Sequence, residues 1–261
     1  MIKFFRKIRQ KLLQENRVSK YLLYAFGEII LVVIGILIAL QINNWSERNK
    51  QNEKEKNYIT NLQRDLKSQI AAIDNQIAYE TDFIDKSIYL MNTFKDGNFI
   101  KLDSVFFENL SILQSRKTFL IVDPTYTDLL SSGNIDLIKN KDLKDELIQY
   151  YQELERIELV IQNNNSLLVD QQFATIFFEI AYYVSSDELN TSKYQPKTSN
   201  RLTTTYHKEL EITSKDLLSI KENQLKLMNI ISLKNSLSLG SLRMMKTVKT
   251  ETEVLLNKLK I

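Results

Sequence analysis

The chain of 261 residues has no cysteine, one histidine, five glycines and two prolines, and its net charge is +3. The lack of cysteine excludes disulfides and thiolate chemistry, and a single histidine, His207, leaves almost no room for histidine-rich zinc sites or Ser-His catalysis. Because glycine and proline interrupt helices most strongly, their scarcity predicts long helices and an all-α fold.

The positive charge is concentrated at the N-terminus. Residues 1–45 hold seven basic and two acidic side chains, whereas the rest of the chain holds 28 basic and 30 acidic ones. The main part of the chain is therefore close to neutral, and we expect no nucleic-acid partner for it.

An apolar segment near the N-terminus predicts a single membrane-spanning helix. Residues 29–40 read IILVVIGILIAL. Twelve residues are too few to cross a bilayer, which takes about 20, so the span must include neighbours. A helix from Tyr21 to Ile42 is about 33 Å long. Tyr21 and Tyr24 would anchor it at one interface and Trp45 at the other.

The basic residues predict the orientation of this span. Seven precede it, whereas basic and acidic residues alternate after it. The N-terminus should therefore stay in the cytoplasm and the main domain should be exported. A cleaved signal peptide is the alternative, but its N-terminal region would be unusually long, about 20 residues, and no A-x-A site follows the apolar run. We expect an uncleaved anchor.

Residues 2–13 predict an amphipathic helix at the membrane surface, attracted to anionic lipid. Lysines and arginines occupy one face of its helical wheel. The other face is apolar and holds Ile2, Phe4, Phe5, Ile8 and Leu12. A simple charged topology signal is the alternative, and the two interpretations are compatible.

Two segments of the chain resemble one known family. The first runs from Ser19 to Arg48 and contains GEIILVVIGILIALQINNW, and the second is Tyr126–Tyr151, YTDLLSSGNIDLIKNKDLKDELIQYY. Both are similar to recurring parts of a family of uncharacterised single-pass membrane proteins of Gram-negative bacteria, a domain of unknown function. The resemblance implies a short single-pass membrane protein with an α-helical exported domain. Together with the predicted orientation, this leads us to expect an inner-membrane anchor and a periplasmic domain. It implies no activity and no binding residues.

Glu28 is an ionisable residue inside or beside the predicted span. An intramembrane charge suggests an ion site or a polar contact that assembles helices. If the hydrocarbon core begins at about Phe26, however, Glu28 lies near the headgroups and has no such role. Gly27, Gly35 and Ala39 add small side chains that let helices approach closely. We therefore name these four residues as candidate intramembrane assembly residues.

The exported part predicts a long stalk helix that leaves the membrane directly from the anchor. Residues 46–94 contain no proline or glycine, and Asp96-Gly97-Asn98 then predicts a turn. The first turns are polar on all sides. Further along, apolar residues repeat on one face at helical spacing: Ile59, Leu62, Leu66, Ile70, Ile73, Ile77, Ile84, Ile88 and Met91.

Shorter helices are expected to follow the stalk and to complete a helical bundle. Asp103, Asp123 and Asn140 should cap helices, the second with Pro124 at its first position. The third should run from Lys141 to about Val184. A final helical region should span Lys215–Lys260, with Leu225 in the core and a break or bend at Gly240. The domains would be residues 1–20, cytoplasmic; 21–45, transmembrane; and 46–261, stalk and bundle.

Nothing in the sequence predicts catalysis. There is no phosphate-binding glycine loop, metalloprotease motif or nucleophile elbow, so we expect no enzyme activity, cofactor or metal. Acidic pairs such as Glu153 and Glu155 are interpreted as solvated helix faces. One aromatic set is interpreted as core, with a ligand pocket as the lesser alternative: Tyr150, Tyr151, Phe173, Phe177, Phe178, Tyr182 and Tyr183.

The leading functional hypothesis is a non-enzymatic envelope protein whose exported bundle binds an unidentified envelope protein or another copy of itself. Two alternatives remain open. One is a small-molecule sensor that signals through a partner, and the other is an accessory subunit of an ion-driven complex that uses Glu28.

Overall fold

The structure is a computed structural model, and it describes residues 18–184 and 204–260. The all-α prediction is confirmed, because helices make up nearly all of these residues and the strands form one two-residue pair. The elements in chain order are α1 Val18–Asn92, β1 Phe94–Lys95, β2 Asn98–Phe99, α2 Ser104–Leu113, α3 Pro124–Ser131, a 3₁₀ turn Asn134–Leu137, α4 Lys141–Asn163, a π-helical segment Asn164–Phe173, α5 Ala174–Ile180, α6 Thr204–Ser219 and α7 Lys221–Lys258.

The chain divides into two compact units, residues 1–58 and residues 59–261, and each is described separately. All described residues of the first unit belong to α1. The predicted division at residues 20 and 45 refers to the bilayer and stays a prediction. The second unit is the helical domain. The long helices α1, α4 and α7 contribute buried residues to its core, and so do the short helices α2 and α5.

Within the domain, α1 buries a stripe of residues that recurs alternately every three and four positions. The predicted core face was partly wrong. Ile70, Ile77 and Ile84 flank the stripe and are only half-buried, and Ile88 is 44% exposed. Polar side chains share the stripe, which apolar periodicity could not predict. Its members are Leu62, Leu66, Gln69, Ile73, Gln76, Glu80, Phe83, Ser87 and Leu90.

A tight hairpin follows α1, as the turn chemistry predicted. Phe94 pairs with Phe99 and Lys95 with Asn98 across two central residues. Those residues, Asp96 and Gly97, have φ angles of 51° and 78°. Positive φ at both positions gives a turn whose twist matches an antiparallel pair, and aspartate and glycine tolerate it best.

Capping side chains position the next helices. The predicted caps of α2 and α4 are confirmed: Asp103 accepts a hydrogen bond from the Phe106 amide at 3.0 Å, and Asn140 accepts one from the Leu143 amide at 3.1 Å. Asp123 precedes Pro124 as predicted, but its side chain makes no capping bond. A residue of α1 takes that role.

That residue is Asp65, which is 3% exposed. Its carboxylate accepts hydrogen bonds from the Thr125 amide, at 3.0 Å, and from the Thr125 hydroxyl. One turn further along α1, Gln69 accepts a bond from the Val122 amide at 2.6 Å. The N-terminus of α3 is therefore fixed by α1. No local sequence pattern could reveal this, because the residues are 60 positions apart.

The predicted core face of α4 is confirmed, but the helix is shorter than predicted. Leu143, Leu147, Tyr150, Leu154, Ile157 and Ile161 are all buried. After Asn163 the chain passes through the π-helical segment and α5, and it becomes extended at Ala181. Side chains from other elements stop the helix there. The Tyr182 amide donates to the Ser214 hydroxyl, and the Val184 amide donates to the Ser111 hydroxyl, each at 2.9 Å.

The C-terminal helices differ from prediction in where they break. The break lies at Ile220, and α7 continues through Gly240. Side chains of Asn223 and Gln224 donate to the carbonyls of Leu217 and Leu218, which satisfies the end of α6. The predicted break or bend at Gly240 was therefore wrong as to a break, because the helix ends and restarts about 20 residues earlier. Leu225, predicted to be core, is 62% exposed.

Candidate functional sites in the anchor, the core and the α4–α7 groove

The apolar segment of α1 is exposed along its whole length. It is long and apolar enough to cross a membrane, with a mean hydropathy of 2.5 over 18 residues, none of them buried. The core helix of a soluble domain would bury most of these side chains, so their exposure favours a membrane-spanning segment over a core helix. The exposed residues include Phe26, Ile29, Leu31, Ile34, Ile36, Leu37, Leu40 and Ile42.

The predicted anchor residues are not brought into a compact site. A methyl group added at Gly27 or Gly35 would meet open space. Ala39 is exposed, and Trp45 is 63% exposed. Glu28 is partly exposed and has interactions of its own. Their roles in assembly stay predictions. The side chains of Tyr21 and Tyr24, and the whole of residues 2–13, lie outside the described residues.

A buried charge cluster in the domain was not predicted. Glu80 on α1 and Lys234 on α7 are 6% and 5% exposed. The Glu80 carboxylate accepts a hydrogen bond from Gln76 at 2.8 Å. The Lys234 ammonium donates to the Ser115 carbonyl at 3.1 Å and lies 4.5 Å from the centre of the Phe83 ring. The cluster therefore joins α1 and α7 to the segment after α2.

Burial dominates the electrostatics of this cluster. It raises the pKa of Glu80, although the Ser238 hydroxyl, Gln76, and the charges of Lys234 and Lys117 lower it in part. Burial also lowers the pKa of Lys234 to about 8, against the opposing effect of Glu80. Burial disfavours the charged form of both groups, so keeping them charged costs stability near neutral pH.

A small cavity lies beside the pair, where the π-helical segment begins. Its volume is about 20 Å³, which is the size of one water molecule. The hydroxyls of Tyr79 and Ser238 line it. The Ser238 hydroxyl also interacts with Glu80, whereas the Tyr79 hydroxyl has no hydrogen-bond partner among residues 18–184 and 204–260. Asn165 also lines it and donates to the Lys117 carbonyl at 3.2 Å. The arrangement suits a buried water, and it leaves no room for a larger ligand.

The sequence contained a signal for this cluster. Glu80 lies seven residues after Ile73, and Lys234 lies seven residues after Leu227, and both of those residues are fully buried. A charged residue in register with a buried apolar stripe predicts a buried charge. The predicted core face was defined by apolar residues only, so it did not include charged residues at buried positions.

A groove of about 390 Å³ lies on the surface between α4 and α7. The two helices are antiparallel there, because Tyr150 contacts Thr252 and Glu146 contacts Lys258. Apolar side chains form part of its lining, and polar ones the remainder. The lining residues are Glu146, Gln149, Tyr150, Glu153, Thr250, Glu251, Val254, Leu255 and Lys258.

Three carboxylates and one ammonium line this groove. Glu146 accepts hydrogen bonds from Lys258 at 2.6 and 2.7 Å, and Glu153 accepts them from Arg156 at 2.7 and 2.5 Å. Burial, followed by the negative charge of Glu153, raises the pKa of Glu251. The groove can therefore accept apolar and cationic groups together.

The aromatic set predicted as core divides into two groups. Tyr151 stacks on Tyr126 with ring centres 4.1 Å apart, and Phe107 contacts Tyr182 at 4.9 Å. The second group, around Phe107 and Tyr182, also contains the buried rings of Phe173 and Phe177. The predicted core position was wrong for Phe178 and Tyr183, which are exposed. Among the described residues there is no group of three metal-ligating side chains. His207 lies in α6, and its side chain is outside the described part.

Comparison with known proteins gives one match. A family profile described as a family of unknown function, DUF6090, matches residues 28–165, more than half of the chain. The match begins at Glu28, includes Tyr126–Tyr151 and extends two residues beyond α4, so the resemblance to a family of unknown function is confirmed. No curated protein and no solved structure matches the chain. The chain belongs to DUF6090, a family of unknown function.

Proposed function

We propose that this chain is a non-enzymatic protein of the cytoplasmic membrane, anchored by the start of α1, whose exported helical domain binds other proteins. The exposed apolar stretch of α1 is the observation that carries the anchor. The surface groove between α4 and α7 supports the binding role.

The free energy of burial supports the anchor. Each large aliphatic or aromatic side chain gains about 1.5–3 kcal/mol when it is moved from water into an apolar environment. The exposed side chains of residues 22–42 are mostly of this type, and no other part of the described chain covers them. A bilayer would cover all of them at once, since a lone helix satisfies its own backbone hydrogen bonds in hydrocarbon.

The charge distribution supports the orientation. The seven basic residues before the apolar run favour a cytoplasmic N-terminus, because cytoplasmic flanks are enriched in lysine and arginine. The helical domain, residues 59–261, would then face the periplasm.

Cysteine labelling tests this topology, and the native chain offers a cysteine-free background. Gln10→Cys and Ser219→Cys each introduce one thiol without changing a charge. A membrane-impermeant maleimide applied to intact spheroplasts should label Ser219→Cys and spare Gln10→Cys until the membrane is permeabilised. The reverse pattern would overturn the orientation. Labelling of both variants in sealed spheroplasts would overturn the membrane span.

The binding role predicts that the chain co-purifies with another polypeptide, or with a second copy of itself, in mild detergent. The expected protein mass exceeds that of one chain, 30.6 kDa. Light scattering coupled to size exclusion gives that mass directly, because it separates the protein from the detergent.

A further inference from the structure

The α4–α7 groove is bordered by two antiparallel rows of side chains, one on each helix. Its α4 wall carries Glu146, Tyr150 and Glu153, and its α7 wall carries Glu251, Val254 and Lys258. These positions follow helical spacing of three or four residues over about two turns, so both walls present straight rows of side chains. Two antiparallel helices with such rows leave a groove into which a third helix packs.

The floor of the groove offers apolar contact that the chain itself does not use. Val254 is 49% exposed, and it lies beside the buried side chains of Tyr150 and Leu255. The Tyr150 hydroxyl is already bonded to Thr252 at 2.8 Å, so the ring presents its apolar part. An apolar side chain of a partner would be covered on two sides here.

The negative charge of the groove favours a partner helix with positively charged residues on its polar face. Lys258 is committed to Glu146, and the cation beside Glu153 is Arg156 of the same helix. Glu251 has no ion-pair partner among the described residues, and it experiences the negative charge of Glu153. The net charge of the lining is negative, so a lysine or arginine at this point would relieve a repulsion and gain an attraction.

We propose that the α4–α7 groove binds a cationic amphipathic helix of a different polypeptide, with apolar side chains on Tyr150 and Val254 and a lysine or arginine at Glu251. This inference rests on the proposed function and names the chemistry of its partner. A second copy of the same surface fits less well. In a symmetric dimer the groove would face itself and bring its carboxylates together.

Two synthetic peptides test the charge and the shape of the site. Each has about 14 residues, or four helical turns, with leucines on one face. One carries lysines on the other face, and its control carries glutamates. The protein is the full chain in nanodiscs of zwitterionic lipid, which does not attract the cationic peptide. Fluorescence anisotropy should show at least about tenfold tighter binding of the lysine peptide, weakening as salt is added.

Matched variants locate the binding. Glu251→Lys and Val254→Asn should each weaken binding of the lysine peptide about fivefold or more, the first by reversing a charge and the second by removing apolar contact without changing the charge. Glu209→Lys and Ile212→Asn are the controls, since Glu209 is an exposed helical glutamate and Ile212 is 50% exposed. Both controls should stay within about twofold of the native chain. Glu251→Gln should give an intermediate loss, and helical circular dichroism should show that every variant is folded.

Equal binding of the two peptides would overturn the cationic partner, and loss of binding in the control variants would overturn the location. Failure of both peptides to bind would overturn the site. If a photo-crosslinker at position 254 joins two copies of this chain, the groove binds a second copy and not a different polypeptide. If the Glu251→Lys variant associates with other proteins in cells as well as the native chain does, this inference is refuted and the proposed function still stands.

Discussion

Glu80 and Lys234 are the residues whose chemistry departs most from an ordinary helical core. Each is nearly fully buried, and burial shifts the pKa of each towards its neutral form. Both charges are anchored by hydrogen bonds, to Gln76 and to the Ser115 carbonyl. Such a pair fixes which elements meet, at a cost in stability that a wholly apolar core would avoid.

Substitutions at Glu80 and Lys234 should separate the cost of burying two charges from the stabilisation that their mutual attraction provides. Glu80→Gln alone leaves the Lys234 charge without its counter-charge and should lower the free energy of unfolding by about 1–3 kcal/mol. The double variant Glu80→Gln/Lys234→Met removes both charges and should raise it by about 1–3 kcal/mol above the native value. Urea unfolding of the chain in nanodiscs, followed by helical circular dichroism, measures both. A double variant less stable than Glu80→Gln would contradict the claim that burying both charges costs more stability than their interactions return.

The same pair predicts a dependence of stability on pH. The pKa of Lys234 is about 8 in the folded chain and 10.5 in an ordinary environment. Between these pH values the unfolded chain binds a proton that the folded chain does not, so stability should rise with pH. For Glu80 the folded pKa is raised, so its contribution is present below pH 4.5 and is lost as pH rises through the folded pKa. Lys234→Met should flatten the alkaline rise, and an unchanged rise would contradict the assignment.

At the scale of single elements, α1 contains two kinds of surface. Its first part exposes apolar side chains, and from Leu62 onwards it buries a stripe that includes Gln69, Gln76 and Glu80, with Asp65 buried beside it. The first surface suits a lipid environment, whereas the second makes directed hydrogen bonds to the Val122–Thr125 segment. One helix therefore supplies both the proposed anchor and the main support of the domain.

Charges placed in the apolar run should release the anchor. Val33→Arg with Leu37→Arg adds two arginines, each costing about 3 kcal/mol near the centre of a span. The fraction of protein that resists alkaline carbonate extraction should fall sharply. Ala71→Arg with Asn75→Arg is the matched control, because it places the same charges four residues apart on exposed positions of the same helix. Equal retention of both variants would count against a membrane span.

The predictability of each element depended on how local its determinants are. The starts of α2 and α4 follow from Asp103 and Asn140, which cap their own helices, and the α4 core face follows from apolar spacing. The ends of α5 and α6 could not be predicted. They depend on Ser214, Ser111 and Gln224, whose capping bonds join residues that are distant in sequence or lie outside the helix they close.

The candidate sites follow the same rule. The proposed anchor contains a continuous run of apolar residues, so a candidate membrane span was evident from the sequence, although its exact bounds were not. The α4–α7 groove combines helices about 100 residues apart, and its acidic residues looked like ordinary solvated faces. Only their placement around Val254 and Tyr150 indicates a binding surface.

At the scale of the whole molecule, the matched family segment and the rest of the chain contribute different parts. The match from Glu28 to Asn165 contains most of the apolar run, the buried stripe of α1, and α4. The second wall of the groove, on α7, lies beyond it. The proposed binding surface therefore needs the complete chain, and a fragment ending at residue 165 would lack it.

The protein mass carried by the full chain in mild detergent tests the central claim most directly. The chain should be extracted from membranes of the organism that produces it and measured by size exclusion with light scattering. The account predicts a protein mass above 30.6 kDa that returns to 30.6 kDa in harsh detergent. A single chain of 30.6 kDa with no other polypeptide, in the mildest extraction that releases it, would contradict the proposal of a membrane-anchored binding protein.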